Sequence, residues 1–227
     1  MVELSRAVED YLKTVYHLTA RGGTATTGVL AHEMGVASPS ATAMVRRLEE
    51  GGLLTRLDSR SLRLTAVGEV AALRVVRRHR LLETFLARVL DVPWDEVHDE
   101  AELLEHALSD RLEERIDTKL GHPAFDPHGD PIPPRHGTHR EDWGRPLRGA
   151  TASCRFRVQR VSDRDSAALR HLGLLGVVPG AVLDVEEQAP FGGPLWVRVG
   201  EHRHPLGEPL VDLVHGTIEG DDHDRDE

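Results

Sequence analysis

The sequence changes its hydrophobic period on either side of a stretch rich in proline and glycine, and this change limits the possible folds more than any other feature. Residues 121–150 hold six of the 13 prolines and five of the 21 glycines, too many for a regular helix or strand. Before this stretch, apolar residues recur at spacings of three and four; after Arg155 they alternate. We therefore predict a mainly α-helical protein that carries a small β domain.

The first third of the chain has the pattern of a winged helix-turn-helix. An amphipathic helix over about 4–18 precedes a short helix over 27–34, and a third helix follows Ser38, which can cap it, and Pro39, which suits the first turn. Two short apolar strands then flank the polar turn 58–60. Two helices, a tight turn, a third helix and a hairpin are typical of winged DNA-binding domains.

The charge distribution favours DNA as the partner of this region. Residues 1–80 carry a net charge of +4, although the whole chain carries −10. We expect small, hydroxyl and basic side chains of the third helix and the hairpin turn to contact the duplex. The expected contact residues are Ser38, Pro39, Ser40, Thr42, Ala43, Arg47 and Arg60. The alternative interpretation is a structural helical pair with solvated arginines.

A Glu-x-x-Glu-His motif indicates a metal site. Helical periodicity resumes over about 94–120, with Ser109 as a point where the helix can break. In a helix, the spacing of Glu102, Glu105 and His106 places all three side chains on one face. They repel and desolvate one another there unless a cation lies among them, and a divalent metal ion meets that need. A solvated surface helix is the alternative.

Further candidate ligands lie on other predicted helices. His79 and Glu83 are four residues apart on a long helix over about 66–91, and His98 follows it. Asp10 lies near the buried face of the first helix, where an unpaired carboxylate is costly. Four more histidines lie irregularly spaced among the prolines, and we interpret that stretch as a solvated connection. They are His122, His128, His136 and His139.

Composition indicates the compartment. Cys154 is the single cysteine, which excludes an intrachain disulfide and a site built from several thiolates. The first residues mix acids with apolar residues, unlike a signal peptide, and no run of about 18 apolar residues occurs. We expect a cytoplasmic protein with no membrane partner.

The chain resembles the diphtheria toxin repressor family of metal-dependent transcriptional regulators. Two motifs carry the resemblance, VHDEA-x-x-x-EH over 97–106 and PHG-x-PIP over 127–133, together with the winged helix. The resemblance extends over nearly the whole chain. It implies that metal binding orders the N-terminal helix and lets a homodimer bind a palindromic operator in double-stranded DNA, and so control metal uptake genes.

The resemblance also implies an order of domains. The N-terminal winged helix-turn-helix is followed by a helical dimerisation and metal-binding domain and by a C-terminal SH3-like β-barrel of the FeoA type. The expected bounds are 1–73 for the DNA-binding domain, 74–140 for the dimerisation domain, 141–150 for a linker, 151–220 for the SH3-like domain and 221–227 for an acidic tail.

Two metal sites per subunit follow from the resemblance. The primary site of the family corresponds to Asp10, Glu102, Glu105 and His106. The second site corresponds to His79, Glu83 and His98. The SH3-like domain of the family lends ligands to this second site; alignment through LGLLGVVPGAV places Asp165 at one such position and Ala168, which cannot ligate, at the other.

Differences from the iron-sensing branch favour manganese. That branch has methionine where Asp10 stands and cysteine where Glu102 stands. Carboxylate and imidazole donors suit Mn²⁺, whereas sulfur favours later metals. We therefore predict Mn²⁺, with Fe²⁺ as the alternative. Some manganese sensors have a further carboxylate that helps to hold a metal pair; Lys13 matches that position, so we expect two separate sites.

Two other functions compete with this prediction. A metalloenzyme would use Glu102 or Glu105 as a general base beside a metal-bound water. That function leaves the winged helix unexplained. A metal buffer or carrier would have no DNA partner.

Overall fold

The computed structural model describes residues 4–137 and 139–219. The predicted acidic tail, 221–227, lies outside them. The chain forms two compact units. Of the described residues, the first comprises 4–79, 102–115, 132–137 and 139–141, and the second comprises 80–101, 116–131 and 142–219. Within the described ranges, no helix is long and apolar enough to span a bilayer.

The first unit contains the predicted winged helix-turn-helix. Its helices are α1 Arg6–Ala20, α2 Thr27–Glu33 and α3 Ser38–Glu50. Its strands are β1 Ala25–Thr26, β2 Leu54–Arg56 and β3 Ser61–Leu64, which form an antiparallel sheet in the order β1-β3-β2. Aliphatic side chains from these elements form one buried core, and they include Leu12, Leu30, Leu48 and Leu62. The core holds α3 in place while its outer face stays exposed.

Local hydrogen bonds explain where the third helix and the hairpin begin and end. α3 begins at Ser38 itself, after the N-cap residue Ala37, so the predicted cap at Ser38 is wrong and its side chain makes no capping bond. In the hairpin turn, Asp58 Oδ1 accepts hydrogen bonds from the backbone N–H groups of Arg60 and Ser61, at 2.7 and 2.8 Å. These bonds fix the turn that carries Arg60.

Three further helices follow the hairpin, and the first two of them carry four of the candidate metal ligands, His79, Glu83, His98 and Glu102. The three helices are α4 Ala66–Leu90, α5 Val97–Leu104 and α6 Asp110–Leu120. The helix predicted over 94–120 is therefore broken, and Glu105 and His106 lie in the turn between α5 and α6. Ser109 ends this turn, and its Oγ accepts a hydrogen bond from the Leu112 N–H at 3.3 Å. The Glu-x-x-Glu-His motif thus occupies a helix end and a turn, not one helical face.

The second unit contains the predicted small β domain. Its strands are β4 Arg145–Pro146, β5 Cys154–Val161, β6 Val182–Gln188, β7 Leu195–Val199, β8 His202–Leu206 and β9 Val214–Ile218. They form an antiparallel sheet in the order β4-β9-β5-β6-β7-β8. Helices α7 Ser166–Leu174 and α8 Glu208–Val211 complete the domain. Phe156 and aliphatic residues fill its core. The predicted fold class is confirmed.

The stretch interpreted as a solvated connection is partly packed. Asp126, His128 and Asp130 are all buried, and His128 is 0% exposed. Asp126 Oδ1 accepts hydrogen bonds from the backbone N–H groups of His128 and Asp130, both at 2.9 Å, which closes a tight polar turn. Arg160 of β5 forms an ion pair with Asp130. The interpretation is therefore wrong for this turn. The predicted linker 141–150 likewise contains β4, which pairs with β9.

Candidate metal centres

The first unit gathers ionisable side chains around Glu105, and we call this group the first cluster. Its members are Glu9, Asp10, Lys13, His79, Glu102, Glu105 and His106. The three residues from α1 share one face, since Asp10 and Lys13 are three residues apart. α4 supplies His79, α5 supplies Glu102, and the turn after α5 supplies the remaining two.

Lys13 lies between two carboxylates. Its Nζ is 2.6 Å from Oε1 of Glu102 and 2.6 Å from Oε1 of Glu105. Burial opposes the charge on Lys13, but the two carboxylates outweigh it and raise the pKa of the ammonium group. Burial likewise opposes the charge on Glu105, yet the hydrogen bond to His79 and the charge of Lys13 lower the pKa of that carboxyl. Both groups are therefore charged at neutral pH.

His106 points one ring nitrogen at a carboxylate and the other at the candidate donors. Its Nδ1 is 2.6 Å from Oε2 of Glu9, so we assign the proton to Nδ1. Its Nε2 lies 2.7 Å from Oδ1 of Asp10 and 3.2 Å from Oε1 of Glu105. Among the described residues, neither Asp10 Oδ1 nor His106 Nε2 has a hydrogen-bond partner, although both atoms are buried. A divalent cation would satisfy both atoms, so the residues fit a metal ion.

Two sets of possible donors meet at Glu105. Asp10, Glu105 and His106 form one set, and His79, Glu102 and Glu105 form the other. Within each set the ligand atoms lie within 4.8 Å of one another. All are carboxylate oxygens or imidazole nitrogens, a donor chemistry that suits Mn²⁺, Fe²⁺ and Zn²⁺. The predicted primary residues are thus brought together, with His79 beside them.

The second unit contains another group of acids and histidines, which we call the second cluster. Its members are Glu83, His98, Asp126, His128 and Asp163. Nδ1 of His98 lies 3.3 Å from Oε1 of Glu83 and 3.2 Å from Oδ2 of Asp163. Glu83, Asp126 and His128 also place one ligand atom each within 4.8 Å of one another. Glu83 is therefore shared by both halves of this cluster.

His128 is oriented by its backbone neighbour. Its Nε2 is 2.7 Å from the carbonyl oxygen of Trp94, which indicates that Nε2 carries the proton and donates it. Its Nδ1 is buried and 3.8 Å from Oε1 of Glu83, and it has no hydrogen-bond partner among the residues that the structure describes. This nitrogen can act as a metal ligand, by the same test as His106.

Burial and close charges shift several pKa values in the second cluster. Burial opposes charge on both histidines, but carboxylates outweigh it: contacts with Asp163 and Glu83 raise the pKa of His98 to about 10, and interactions with Glu83 raise that of His128 to about 9. Burial and the charge of Glu83 raise the pKa of Asp126 to about 8. For Asp163, the hydrogen bond to His98 outweighs burial and lowers the pKa. Protons on the histidines therefore balance the carboxylates at neutral pH.

The structure places Asp165 elsewhere than predicted. Asp165 is the N-cap of α7, and its Oδ1 accepts a hydrogen bond from the Ala168 N–H at 3.0 Å. Asp163, two residues earlier, reaches His98 instead. The matching of Asp165 to a ligand position is therefore not supported by the geometry, because that carboxylate satisfies the start of a helix.

The predicted DNA-contacting residues all lie on the surface of the first unit. Ser38, Pro39, Ser40, Thr42, Ala43, Arg47 and Arg60 are all exposed. Ala41, Val45 and Leu48 on the opposite face of α3 are buried in the core. α3 therefore has one face fixed by packing and one face available to a partner.

Comparisons with known proteins agree with this architecture. Residues 3–61 match the family model described as iron dependent repressor, N-terminal DNA binding domain. Residues 65–134 match the iron dependent repressor metal binding and dimerisation domain, and 145–216 match the FeoA domain. The iron-dependent repressor IdeR of Mycobacterium tuberculosis strain H37Rv is 39% identical over 226 residues, which cover 94% of this chain and 98% of that protein. The chain belongs to this family of repressors.

Other family members agree with the assignment. The diphtheria toxin repressor of Corynebacterium diphtheriae is 35% identical over 133 residues, 59% of each chain. A solved manganese-dependent transcriptional repressor in complex with manganese is 40% identical, with a TM-score of 0.85 over 93% of this chain and 99% of that one. The protein is thus a metal-dependent transcriptional repressor of the diphtheria toxin repressor family. The metalloenzyme alternative is wrong, since the family consists of DNA-binding regulators.

Sequence reasoning missed five residues of the two clusters. They are Glu9, Lys13 as a contact of the carboxylates, Asp126, His128 and Asp163. A signal was present for two of them, because Asp126 directly precedes the PHG-x-PIP motif and His128 is its second residue. Asp163 had no such signal, since it lies in a short connection between β5 and α7.

Proposed function

We propose that the protein is a Mn²⁺-dependent repressor whose homodimer binds a palindromic operator and controls metal uptake genes. The observation that carries this proposal is the arrangement of Asp10 on α1 against His106 and Glu105 in the turn after α5. Two of their buried atoms, Asp10 Oδ1 and His106 Nε2, lie 2.7 Å apart, and neither has a hydrogen-bond partner among the described residues. The metal site thus includes a residue of the DNA-binding region itself. A repressor acts at the chromosome, so we place the protein in the cytoplasm.

The proposed first centre consists of Asp10, Glu102, Glu105 and His106 as ligands. A bound ion supplies the positive charge that draws these donors together. Glu9 orients the His106 ring, since a hydrogen bond to Nδ1 leaves Nε2 free to ligate. Asp10 belongs to α1, whereas the other ligands belong to α5 and the turn after it. Coordination therefore favours the conformation in which α1 lies against that turn.

The proposed second centre consists of Glu83, His98, Asp126, His128 and Asp163. Two overlapping sets support this proposal: Glu83, His98 and Asp163 each place one ligand atom within 4.8 Å of the others, and Glu83, Asp126 and His128 do the same. His79, which the family resemblance assigns here, lies one helical turn before Glu83 on α4, and its Nδ1 is 2.6 Å from Oε2 of Glu105. We expect this centre to stabilise the second unit, because it joins α4, α5, the Asp126 turn and the β5–α7 connection.

Donor chemistry supports manganese over iron at the first centre. Asp10 and Glu102 supply oxygen, and oxygen with imidazole suits Mn²⁺, which binds weakly to softer sites. The similarity to a solved manganese-dependent repressor adds support. Iron is the second candidate, because the similarity to the iron-dependent repressor IdeR covers almost the whole of that protein.

The DNA interface is proposed from exposure and charge. The exposed face of α3 offers small and hydroxyl side chains to a major groove, and Arg47 and Arg60 are placed for phosphates. A homodimer with two-fold symmetry presents two such faces, and two-fold symmetry in the protein requires an inverted repeat in the DNA.

A gel-shift experiment with fragmented genomic DNA tests the proposal. We expect the full-length protein to retain a small set of fragments only when Mn²⁺ is present, at about 150 mM salt, where weak nonspecific contacts are screened. The Asp10→Ala variant should lose this retention. A shift that is equal with Mn²⁺ and with chelator, or a variant that behaves as the wild type, would contradict the proposal.

A further inference from the structure

The segment 132–141, which we call the strap, packs on the first unit before the chain enters the β domain. It is described except for residue 138. Near its start, the carbonyl oxygen of Pro133 accepts a hydrogen bond from Nη1 of Arg77 on α4, at 2.8 Å. The first part of the strap is therefore fixed to α4, the helix that also carries His79 of the first cluster.

The end of the strap reaches α1. Oε1 of Glu141 accepts a hydrogen bond from the hydroxyl group of Tyr16, at 3.2 Å, and Tyr16 is itself buried. The side chain of Glu141 is 1% exposed, and that of His139, whose Nε2 lies 4.0 Å from the same oxygen, is 7% exposed. A carboxylate buried to this extent is costly unless donors satisfy it, so the Tyr16 hydroxyl group stabilises it there.

The strap also lies beside the hairpin of the winged helix. The end of α1, strand β3 and the strap together line a cavity of about 540 Å³. Its lining includes Thr19 of α1, Arg63 of β3 and Arg140 of the strap. The strap therefore faces the hairpin as well as α1, and its position bears on both.

α1 thus has two attachments to α4. One is the first cluster, where Lys13 of α1 contacts Glu105, and Glu105 contacts His79 of α4. The other is the strap, which holds α1 at Tyr16. The proposed ligand Asp10 lies six residues before Tyr16, a distance of about 9 Å along the helix axis. An attachment at one end of α1 fixes a point, whereas attachments at both ends fix the direction of the helix.

We propose that Tyr16 and Glu141 form a metal-independent anchor that sets the direction of α1, and that both are positioning residues for operator binding. The inference rests on the proposed function, since it concerns how the metal-loaded protein presents α3. Helices α1, α2 and α3 share one buried core, so the direction of α1 determines that of the exposed face of α3. Both side chains are buried, so their effect on DNA binding is indirect.

The test measures binding of the full-length protein to a genomic fragment that the wild type retains with Mn²⁺. Tyr16→Phe removes the hydroxyl group and keeps the ring, and Glu141→Leu removes the acceptor. Each should weaken binding about tenfold at saturating Mn²⁺, as expected for the loss of one hydrogen bond to a charged group. Glu141→Gln keeps an acceptor oxygen and should stay close to the wild type. The double variant Tyr16→Phe/Glu141→Leu should bind no more weakly than either single variant, because both remove the same contact.

Two further readouts separate positioning from other roles. The slope of DNA affinity against salt concentration should match the wild type, because no phosphate contact is lost. Mn²⁺ affinity should fall by less than DNA affinity, since the ion holds Asp10 at one point and does not depend on the direction of the helix.

Hydrogen exchange of the metal-free protein tests the anchor without DNA. The amides of the last turn of α1, residues 17–20, should have the same protection with and without Mn²⁺ in the wild type. In Tyr16→Phe they should exchange about tenfold faster, because the turn opens more readily.

Several results would overturn the inference. They are wild-type DNA affinity in a folded Tyr16→Phe variant, additive losses in the double variant, a reduced salt slope, and a last turn of α1 that is protected only when Mn²⁺ is bound. The Tyr16→Phe and hydrogen-exchange measurements decide the matter even if Glu141→Leu does not fold. If the wild type retains no fragment with Mn²⁺, the proposed function fails, and hydrogen exchange alone decides whether the anchor exists.

Discussion

The two clusters balance their negative charge by different means. The first cluster uses Lys13, a cation that is covalently part of α1 and lies 2.6 Å from two carboxylates. The second cluster uses His98 and His128, whose pKa values are raised to about 10 and about 9. Lysine keeps its charge when a metal ion binds, whereas these histidines must release protons to become ligands. In the function proposed above, the first cluster therefore reports metal through α1, and the second cluster binds metal in competition with protons.

The largest expected effect is on DNA affinity, which should depend more strongly on the first cluster than on the second. Asp10→Ala removes the one proposed ligand that α1 supplies. Metal-dependent DNA affinity should therefore fall on the order of a hundredfold, because loss of a residue that only orients a ligand already weakens metal binding by up to that factor. Glu83→Gln removes a ligand of the second cluster and should reduce that affinity about tenfold. Fluorescence anisotropy with retained operator DNA measures both. Equal losses would show that the clusters are not functionally distinct.

The next effect is a pH dependence of metal binding at the second cluster. A pH of 7 is below the raised pKa values of His98, His128 and Asp126, so all three groups hold protons. A metal ion must displace these protons, so its affinity should rise with pH, by about tenfold per pH unit for each proton released. The rise should end once pH exceeds about 10, where the groups no longer hold protons in the metal-free protein.

Isothermal titration of Mn²⁺ between pH 6.5 and 8.5 measures this dependence. Asp10→Ala as the background removes binding at the first cluster, and buffers with different ionisation enthalpies report how many protons leave. Binding without proton release would disprove the charge balance assigned to the second cluster.

A change of ligand atom at the first cluster tests whether its oxygen donors determine the metal preference. Glu102→Cys introduces a sulfur ligand, which should shift the preferred activating metal from Mn²⁺ toward Fe²⁺ or Co²⁺ by about tenfold in relative affinity. Glu102→Gln keeps the shape without the charge and serves as the matched control. If the cysteine variant retains the wild-type order of metals, oxygen donors do not explain the selectivity.

The smallest effect distinguishes two neighbouring aspartates. Asp163→Ala should weaken Mn²⁺ binding at the second cluster, because Asp163 contacts His98. Asp165→Ala should leave metal binding unchanged and cost about 1 kcal/mol of stability, since Asp165 caps α7. Denaturant unfolding of the metal-free proteins and Mn²⁺ titration provide the two readouts. Loss of metal binding on Asp165→Ala would restore the ligand role first predicted for it.

The sequence predicted elements with regular periods and missed contacts that depend on tertiary packing. The period of the apolar residues sufficed to predict the winged helix and the β domain. Residue type pointed to Glu102, Glu105 and His106, although the single helical face predicted from their spacing was wrong. The sequence predicts a solvated loop at Asp126, because the hydrogen bonds from the backbone N–H groups of His128 and Asp130 to the Asp126 carboxylate form only once the turn has closed. The position of Lys13 depends on how α1 packs, which the period of α1 does not encode.

We propose that Mn²⁺ at the first cluster switches on operator binding. The most direct measurement is an anaerobic titration of the metal-free protein with Mn²⁺ and, separately, Fe²⁺, with DNA binding followed by anisotropy on an operator fragment. We expect activation by Mn²⁺ with full loss in Asp10→Ala, and weaker activation by Fe²⁺ at equal free concentration. Equal or stronger activation by Fe²⁺ would contradict the assignment of manganese, and DNA binding that ignores both metals would contradict the switch itself.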